Sequence, residues 1–582
     1  MTTSPRGHKP WALLAYVLRS ETPPSRERLA GLLFEDADDP LGALRWSLSE
    51  VRRMLGHHAK IHGDPLHLDL PDDASVDVDV LSNGTWMEAV ALSGLGRDLI
   101  EGVHVQASPA FELWLENERR HVSGLTEAVL HEAALACLAR GEAQRAADHA
   151  VRLVSLNRFE ENSHVLLVRC LRLAGRHDEA ARQVAACTEL FREELGVEPS
   201  VALRAAAEIA APPAVGHDGS PAAILARLEA GESAVAAGAL HEGIESLRAA
   251  ADAARLGVGR DLHSRALVSL GSALVHGVRG RDEEGVTALY EAVEIAEQLD
   301  TPVLAATALR EIAWVEFLRA HYDRAETSLA RAENLAEGHD LELAWIQSVQ
   351  GACRTDTGDY RRALPVLESA IERADRAGAA PAGTFARTML GRLYLLRSEF
   401  AEAAHVLDDA MRLARSVGWT SFIPLPEALR AEVTLVEGDV DSAEEAFTHS
   451  FALGCQLGDP CWESIAQRGL GLVAATRGHT DRAIELLDDA ARRCRRLPDT
   501  YLWLDAYALD ALCGVGIPYG APAARRWVDA LETTASHNGM RELVVRAALH
   551  RARLGDRGAI EGALALAAGI DNPVLEELFS KI

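Results

Sequence analysis

The chain is 582 residues long, carries a formal net charge of -28, and is 48% hydrophobic and 25% charged. A single hydrophobic core rarely extends beyond about 250–300 residues, so this length predicts several domains. The composition is that of a soluble globular protein and not that of a disordered or membrane protein. Aromatic residues make up only 5% of a chain rich in alanine, which favours helices over sheets.

The sequence contains no familiar catalytic or cofactor motif. Its only lysines are Lys9, Lys60 and Lys581, and none lies in the G-K-[ST] context of a phosphate-binding loop. Patterns of the G-x-S-x-G, H-E-x-x-H and calcium-loop types are also missing, so we predict a protein that is not an enzyme and uses no cofactor. The eight cysteines are scattered without a C-x-x-C pair, which argues against zinc modules and disulfide frameworks and suits a reducing cytoplasm.

One stretch near the N-terminus has the charge pattern of a targeting signal. In RGHKPWALLAYVLRSE, basic residues precede a run of eight apolar residues. No small-residue cleavage site follows, and PPSRERLAGLLF resumes an amphipathic pattern at once, so we predict a first helix instead. No apolar stretch approaches the roughly 20 residues of a membrane span. We therefore expect a cytoplasmic protein with no membrane partner.

Residues 1–75 begin with three predicted helices. Pro10 opens the first, Ser25 is the N-cap of the second, and Asp39 with Pro40 begins the third. The apolar stripe of the third helix has helical spacing and consists of Leu41, Leu44, Leu48, Val51 and Leu55. The turn GDP and the alternating segment LHLDL then predict a hairpin. Three helices and a hairpin indicate a winged-helix DNA-binding domain.

The outward face of the third helix is predicted to enter the major groove of double-stranded DNA, with the hairpin as the wing. The predicted contacts on the helix and the wing are Arg45, Trp46, Ser49, Arg52, Arg53, Lys60 and His62. Residues 41–62 carry a net charge of +3, so the remainder of the chain carries -31. An acidic body repels DNA except where a local basic face offsets it. The N-terminal module is therefore the region of this sequence suited to nucleic acid.

A simpler interpretation stays open at this point. Arginines on an exposed helix face are usually only solvated. In that case the chain is a protein-interaction scaffold whose winged helix does not bind DNA.

A group of histidines also lies in this module, comprising His57, His58, His62 and His67. They span a helix end, a turn and a strand without spacing on one face, so we predict no metal site.

A pair of short repeats follows the winged helix. GEAQRAADHA from Gly141 and GRHDEAARQV from Gly175 begin 34 residues apart, which is the standard tetratricopeptide period. This spacing predicts a tetratricopeptide-like helical domain over residues 76–210. The segment APPAVGHDGSPAA combines paired prolines with glycines, and it predicts a linker over residues 211–223.

Residues 224–582 contain a longer repeat of 38 to 40 residues. Each copy begins with a small residue and ends on a large apolar one, and the alanines at its sixth position are Ala325, Ala363, Ala403, Ala443 and Ala483. Two weaker copies have Gly243 and Gly285 in the alanine position. A small turn residue closes one helix, and the alanine allows the next helix to approach it closely. Such hairpins bury their apolar faces only by stacking, which predicts an α-solenoid of tetratricopeptide repeats.

Two segments together resemble the SARP family of bacterial transcriptional regulators. KPWALLAYVLRSETPPSRERLAGLLFEDADDPLGALRWSLSEVRRML is similar to the family's winged helix. LIEGVHVQASPAFELWLENERRHV, which includes Trp114, Leu115 and Arg119, is similar to the bacterial transcriptional activator domain that follows it, as is ELFREELGVEPSVAL. The resemblance covers residues 7–205, and the order of the two domains is more specific than either motif.

The resemblance implies a transcriptional activator that binds promoter DNA through the third helix and the wing. It also implies an activator domain that packs on the winged helix and aids oligomerisation or contact with RNA polymerase. Arg26, at the start of the second helix, matches a phosphate contact. The solenoid is expected to hold an unidentified protein or small ligand. The predicted fold is therefore mainly α: a winged helix-turn-helix, a tetratricopeptide-like activator domain and a tetratricopeptide α-solenoid.

Overall fold

The computed structural model of the protein describes residues 7–20, 22–56, 59–71, 73–207, 220–236, 239–256, 259–277, 280–496, 500–556 and 558–580. Within these ranges the protein has 29 α-helices and one two-stranded sheet. A winged helix, a short set of helical hairpins and a long helical solenoid follow one another along the chain. This order confirms the predicted fold class.

Three helices and the sheet form the winged helix. Their bounds are Lys9–Arg19 (α1), Arg26–Phe34 (α2), Pro40–Leu55 (α3), Lys60–His62 (β1) and His67–Asp69 (β2). The strands are antiparallel, with Ile61 opposite Leu68. Ser25 caps α2 as predicted, because its hydroxyl accepts a hydrogen bond of 3.2 Å from the backbone N–H of Arg28. The strand β1 packs beside α3, so the wing and the third helix share one edge of the domain.

The third helix buries one face in the core of the winged helix. The buried residues of this face are Leu44, Ser47, Leu48, Val51 and Met54. The assignment of Leu41 to this face is wrong, since 46% of Leu41 is exposed. Leu41 is the second residue of α3 and belongs to its first turn. Leu55 is half-buried, and Met54 is the fully buried side chain of the last turn.

Seven helices follow in the region of the predicted activator domain. Their bounds are Asp77–Asn83 (α4), Trp86–Val90 (α5), Pro109–Ala139 (α6), Ala143–Leu156 (α7), Glu161–Leu173 (α8), His177–Leu190 (α9) and Val201–Ala207 (α10). The predicted repeat pair corresponds to the hairpins α6–α7 and α8–α9. Gly141 and Gly175 close these turns at φ of 74° and 75°, a region that side chains rarely adopt. Ala146 and Ala180 are buried where the paired helices meet.

Nineteen helices of the described residues form the solenoid. Their bounds are Pro221–Ala236 (α11), Leu240–Leu256 (α12), Arg260–Gly277 (α13), Asp282–Gln298 (α14), Pro302–Leu318 (α15), Tyr322–Leu335 (α16), Asp340–Asp356 (α17), Tyr360–Arg376 (α18), Ala380–Leu396 (α19), Phe400–Ser416 (α20), Pro424–Val436 (α21), Val440–Leu457 (α22), Pro460–Thr476 (α23), Thr480–Cys494 (α24), Leu502–Tyr519 (α25), Ala524–His537 (α26), Arg541–Arg553 (α27), Gly558–Ala567 (α28) and Pro573–Ser580 (α29). Consecutive helices pack as hairpins along the whole array.

The predicted linker is only partly covered by the structure. Residues 211–219 lie outside the described residues. Residues 221–223 belong to α11, which corrects the end of the predicted linker. Pro221 is the first residue of that helix, where the missing N–H leaves no helical hydrogen bond unmade. The limits of the three domains themselves stay predictions.

The alanine positions of the long repeat lie at the contact between paired helices. All five are fully buried, and they are Ala325, Ala363, Ala403, Ala443 and Ala483. The weaker copies use glycine for a still closer approach. A Cβ atom on Gly243 would lie 3.0 Å from the carbonyl oxygen of Gly231, and one on Gly285 would lie 3.0 Å from that of Gly271. The first repeats therefore pack backbone against backbone.

The 31-residue helix α6 contacts all three parts of the protein. Near its start, Phe111 and Trp114 belong to the core of the winged helix, and α28 packs beside them. Further along, α6 packs against α26, α14 and α16 of the solenoid. Among the described helices, α6 alone has the length and apolarity to cross a membrane, yet 78% of its apolar window is buried inside the protein. Its apolar character is explained by this central packing.

An ion pair removed from water joins α6 to the solenoid. The Nε atom of Arg324 in α16 donates a hydrogen bond of 2.7 Å to Glu132 of α6. The same guanidinium donates to the carbonyl oxygen of Gly84, between α4 and α5, at 2.6 Å. The side chains of Arg324 and Glu132 are only 4% and 12% exposed. Arg324 therefore fixes the solenoid to two elements of the activator region.

A histidine makes a second contact between α6 and the solenoid. His537, at the end of α26, lies so close to α6 that a Cβ atom on Gly124 would be 2.2 Å from its carbonyl oxygen. Its Nε2 atom is 3.4 Å from the Glu127 carboxylate. Burial lowers the pKa of His537, but the hydrogen bond to Glu127 and the charges of Glu127 and Glu160 outweigh burial and raise this pKa above its ordinary value. His537 therefore stabilises the contact when it is protonated.

This pKa shift predicts a pH dependence of stability. A histidine whose pKa is raised on folding stabilises fully below its unfolded pKa of about 6.5, and the stabilisation is lost as pH rises through the folded pKa. We expect the variant His537→Gln to lose part of the decline in stability that the wild type shows above about pH 6.5. Urea unfolding at several pH values measures this slope. The exposed His479 supplies a control, and an equal slope in wild type and His537→Gln would contradict the assignment.

Candidate nucleic-acid interface

The outward face of α3 brings the predicted helix contacts together. Its exposed side chains are Arg45, Trp46, Ser49, Arg52 and Arg53. A helical turn of 3.6 residues sets Arg45, Ser49 and Arg52 along one line on this face. Because the opposite face is packed in the core, α3 is held firmly with its basic side toward solvent. This is the arrangement in which a recognition helix is presented to the major groove.

Arg45 begins this line beside the N-terminus of α3. Its Nη2 atom lies 3.4 Å from Asp39, and the two side chains are 67% and 68% exposed. Exposed ion pairs of this kind contribute little stability, so Asp39 does not hold the Arg45 side chain firmly in place. The other oxygen of Asp39 accepts a hydrogen bond of 2.8 Å from the backbone N–H of Gly42 and caps α3, as predicted.

The cap leads to a prediction that separates the contribution of the cap hydrogen bond to stability from the contribution of the Asp39 charge. Asp39→Ala is expected to reduce the free energy of unfolding by about 1 kcal/mol, since the cap hydrogen bond is lost. Asp39→Ser keeps the cap and removes the charge, so it should leave stability near that of the wild type. Thermal unfolding compares the two variants. Equal losses in both would show that the charge, and not the cap, stabilises α3.

Arg52 and Arg53 have different surroundings, although they are adjacent. Both Nε and Nη2 of Arg52 donate to the backbone carbonyl of Ile61, at 3.2 and 3.1 Å, and so fasten α3 to β1. Arg53 donates to Glu50 at 2.6 Å, one turn back on the same helix. Arg52 therefore positions the wing, and the charge of Arg53 is partly offset by a neighbouring carboxylate.

The wing is less basic than its sequence suggests. Lys60 and His62 are both exposed, at the two ends of β1. Asp69 of β2 lies opposite Lys60, and its carboxylate is 2.8 Å from Nε2 of His62. Asp64 adds a second carboxylate in the turn. Lys60 is thus the only lysine on a wing that also presents two acidic side chains.

Arg26 links the second helix to the wing. Its Nε atom donates to the carbonyl oxygen of Gly63 at 3.0 Å, and its backbone N–H donates to Asp64 at 2.9 Å. The side chain is half-buried beside the turn. Arg26 therefore holds the tip of the wing.

Two of the four histidines of this module, His62 and His67, lie within the described residues. The rings of His62 and His67 stack with centroids 6.1 Å apart across the hairpin. His57 and His58 lie outside the described residues. Among the described residues, the group with the spacing for a metal is elsewhere, where His131, Glu316 and His321 meet. Arg319 already hydrogen-bonds to the ring of His131 there, so a cation occupies the surroundings that a metal would need.

Sequence reasoning missed the partners of the basic side chains, whereas the packing of the activator domain on the winged helix, which the resemblance implies, is present in the structure. Tyr16 of α1 packs on Trp114 of α6 with ring centroids 4.7 Å apart. Arg19 pairs with Glu118 at 2.9 Å, and the backbone N–H of Ser108 donates to α2 at 2.9 Å. The activator helix therefore completes the core of the DNA-binding module. The W-L-x-x-x-R element supplies Trp114 to this contact.

Comparison with known proteins identifies one domain. Residues 74–209 match the family model of the bacterial transcriptional activator domain. A comparison with curated proteins gives no match.

Three solved structures of helical-repeat proteins show a distant likeness. A Rap protein complexed with competence and sporulation factor is 13% identical over 62% of this chain and 98% of its own, with a TM-score of 0.43. NprR in complex with its cognate peptide NprX is 14% identical over 54% and 91%, with a TM-score of 0.41. A STAND protein with a tetratricopeptide repeat sensor from Pyrococcus horikoshii is 14% identical over 58% and 54%, with a TM-score of 0.34. None reaches a TM-score of 0.5, so these likenesses say nothing about what this chain binds.

A winged helix joined to a bacterial transcriptional activator domain and to helical repeats defines a transcription regulator. In this order of domains the chain resembles the SARP regulators, and helical repeats follow the activator domain.

Proposed function

We propose that this regulator activates transcription by binding double-stranded promoter DNA through α3 and the wing. The observation that carries the proposal is the face of α3, on which Arg45, Ser49 and Arg53 are exposed opposite a packed core. Arg45 and Ser49 read base edges in the major groove, since arginine and serine are common partners of base edges there. Arg26 and Lys60 contact phosphates at the border of the site.

The acidic body gives this binding a direction. Because the chain outside residues 41–62 carries a net charge of -31, DNA approaches productively only on the α3 side. The activator domain reaches RNA polymerase or a second copy of the chain from the far side of the winged helix. The protein acts in the cytoplasm. Its solenoid serves as the regulatory part, because it packs around α6, the helix that supports the DNA-binding core.

Fluorescence anisotropy of the full-length protein tests the proposal. The probe is a labelled duplex from the gene's own upstream region, and a duplex of the same composition in scrambled order is the control. We expect tighter binding to the upstream duplex and an affinity that falls as salt is raised, since phosphate contacts release counterions. Equal affinity for the two duplexes, or no binding at low salt, would contradict the proposal.

A second function is favoured by the acidic side chains around the interface. Glu50, Asp64 and Asp69 lie beside Arg53, Arg26 and His62 and reduce the positive charge of the face. In this case the winged helix docks a protein and the chain is a scaffold. Heparin chromatography of the full-length protein separates the two functions. Elution at low salt favours the scaffold, and retention that disappears in Arg45→Ala favours DNA binding.

A further inference from the structure

A cavity of about 680 Å³ lies where the winged helix, α6 and the solenoid meet. Its walls come from α1 and α2, from the middle of α6, and from the solenoid turns that follow α15, α26 and α28. Sites for small organic molecules usually occupy about 300–1,000 Å³. The cavity therefore has the volume of a small-molecule site, and every part of the protein contributes to it.

Two side chains of α6 in this wall have buried polar atoms without a partner. Asn117 is only 7% exposed, and neither its amide nitrogen nor its carbonyl oxygen forms a hydrogen bond. One turn further along, Nδ1 of His121 is also buried without a hydrogen bond. A buried amide that makes no hydrogen bond destabilises the fold. Asn117 offers two hydrogen-bond donors and an acceptor at the cavity wall, and these groups can bond to a polar ligand.

The winged helix supplies a cation without an acidic partner. Arg28 of α2 donates from Nε to the hydroxyl of Tyr16 at 3.2 Å and from Nη2 to the carbonyl oxygen of Ala565 at 3.2 Å. Both acceptors are neutral, and no ion pair to Arg28 occurs among the described residues. The guanidinium is half-buried at the cavity wall, where a positive charge is less well solvated than at an open surface.

The carboxylates around the cavity are already engaged. Glu118 pairs with Arg19 at 2.9 Å, and Asp323 lies 3.8 Å from Nε2 of His121. Asp359 lies 3.4 Å from Nε of Arg362 and also accepts a hydrogen bond from the backbone N–H of that residue. The charge that the wall leaves uncompensated is therefore positive. Tyr16 and Trp114 provide an aromatic surface beside it.

We propose that this cavity binds a small organic carboxylic acid. The carboxylate pairs with Arg28, for which a guanidinium offers a matching fork of donors. A hydroxyl or amide of the same molecule bonds to Asn117, and its apolar body lies against Tyr16 and Trp114. Such a ligand contacts α2 of the winged helix and α6 at once, so it fixes α3 in the exposed orientation of this structure. The increase in DNA affinity that follows rests on the proposed function, whereas the binding itself does not.

Thermal unfolding of the full-length protein with defined probes tests the binding. The probes are 4-hydroxybenzoate, its neutral counterpart 4-hydroxybenzamide, and succinate as an aliphatic acid, each up to roughly 10 mM, where a Kd of 1 mM gives near saturation. We expect an acid to raise the Tm by about 1–2 °C, and the neutral amide to leave it unchanged. Arg28→Gln should lose the response, and Arg482→Gln on the exposed solenoid surface should keep it. The proposal is overturned if neither acid shifts the Tm, or if the amide acts as well as the acid.

Asn117→Leu gives an independent readout. If Asn117 is kept for a ligand, this variant should unfold at a higher temperature than the wild type without probe, because a buried unpaired amide is removed. It should also lose the response to 4-hydroxybenzoate. A lower Tm together with an unchanged response would overturn the assignment of Asn117. In the anisotropy assay, an acid that shifts the Tm should tighten DNA binding; an unchanged affinity overturns the coupling alone, and absence of DNA binding in all conditions overturns the proposed function alone.

Discussion

Replacing Arg324 with alanine is expected to reduce the free energy of unfolding by about 3–5 kcal/mol, because it leaves the Glu132 carboxylate buried without its partner. Burial raises the pKa of Glu132, and the charge of Arg324 opposes that rise. Without the arginine, the carboxyl of Glu132 should take up a proton more readily, so the loss of stability should become smaller as the pH is lowered. Urea unfolding at two pH values measures both effects.

The chain offers a matched control on the same helix. Arg331 of α16 also pairs with a glutamate, Glu297, but these side chains are 52% and 41% exposed. Exposed pairs are worth about 0–1 kcal/mol, so Arg331→Ala should have a small effect. The double variant Arg324→Met with Glu132→Leu should recover most of the stability, since both buried charges are removed. Similar losses for Arg324→Ala and Arg331→Ala would show that the packing of α6 on the solenoid does not depend on the buried pair.

The second prediction with a large expected effect is weaker DNA binding by a variant of α3 and the wing. Arg45→Ala together with Lys60→Ala is expected to weaken binding to the upstream duplex by roughly 30- to 1,000-fold, or about 2–4 kcal/mol, if one residue reads a base and the other a phosphate. The slope of log affinity against log salt should also become less steep, by about 1 for each phosphate that the variant no longer neutralises. A salt series of anisotropy titrations measures both quantities.

Point variants suit this experiment better than a deletion, because the winged helix shares its core with α6. Removing residues 1–75 would expose Phe111 and Trp114 of α6, which belong to the core of the winged helix. Point variants of the full-length chain avoid this damage. Arg145→Ala with Arg482→Ala removes two exposed charges far along the chain and serves as the control. If this control weakens binding as much as the α3 variant, the attraction is general and α3 is not the interface.

The local elements of the interface were predictable from sequence because their signals are local. Asp39 and Pro40 mark the start of α3, and the three-and-four spacing of its leucines marks the buried face. The alternating strand after the turn marks the wing. Leu41 was misassigned because helical spacing assigns a residue to a face of the helix but does not show whether another element covers that residue.

The partners of the basic residues could not be predicted, because they depend on tertiary contacts. Arg52 donates to the backbone carbonyl of Ile61. Every residue has a backbone carbonyl, so no residue type in the sequence indicates this partner. Glu132 and Arg324 are separated by 192 positions, so no periodicity connects them. The enclosure of α6 by the solenoid, and with it the cavity beside Asn117, is for the same reason a result of the structure alone.

Hydrogen exchange of the full-length protein with and without the upstream duplex tests the central claim most directly, because it locates the DNA on the chain. The account predicts slower exchange in Pro40–Leu55 and in the wing from Lys60 to Asp69, with little change in the solenoid helices. Protection confined to the solenoid, or bound DNA with no protection of α3 and the wing, would contradict it.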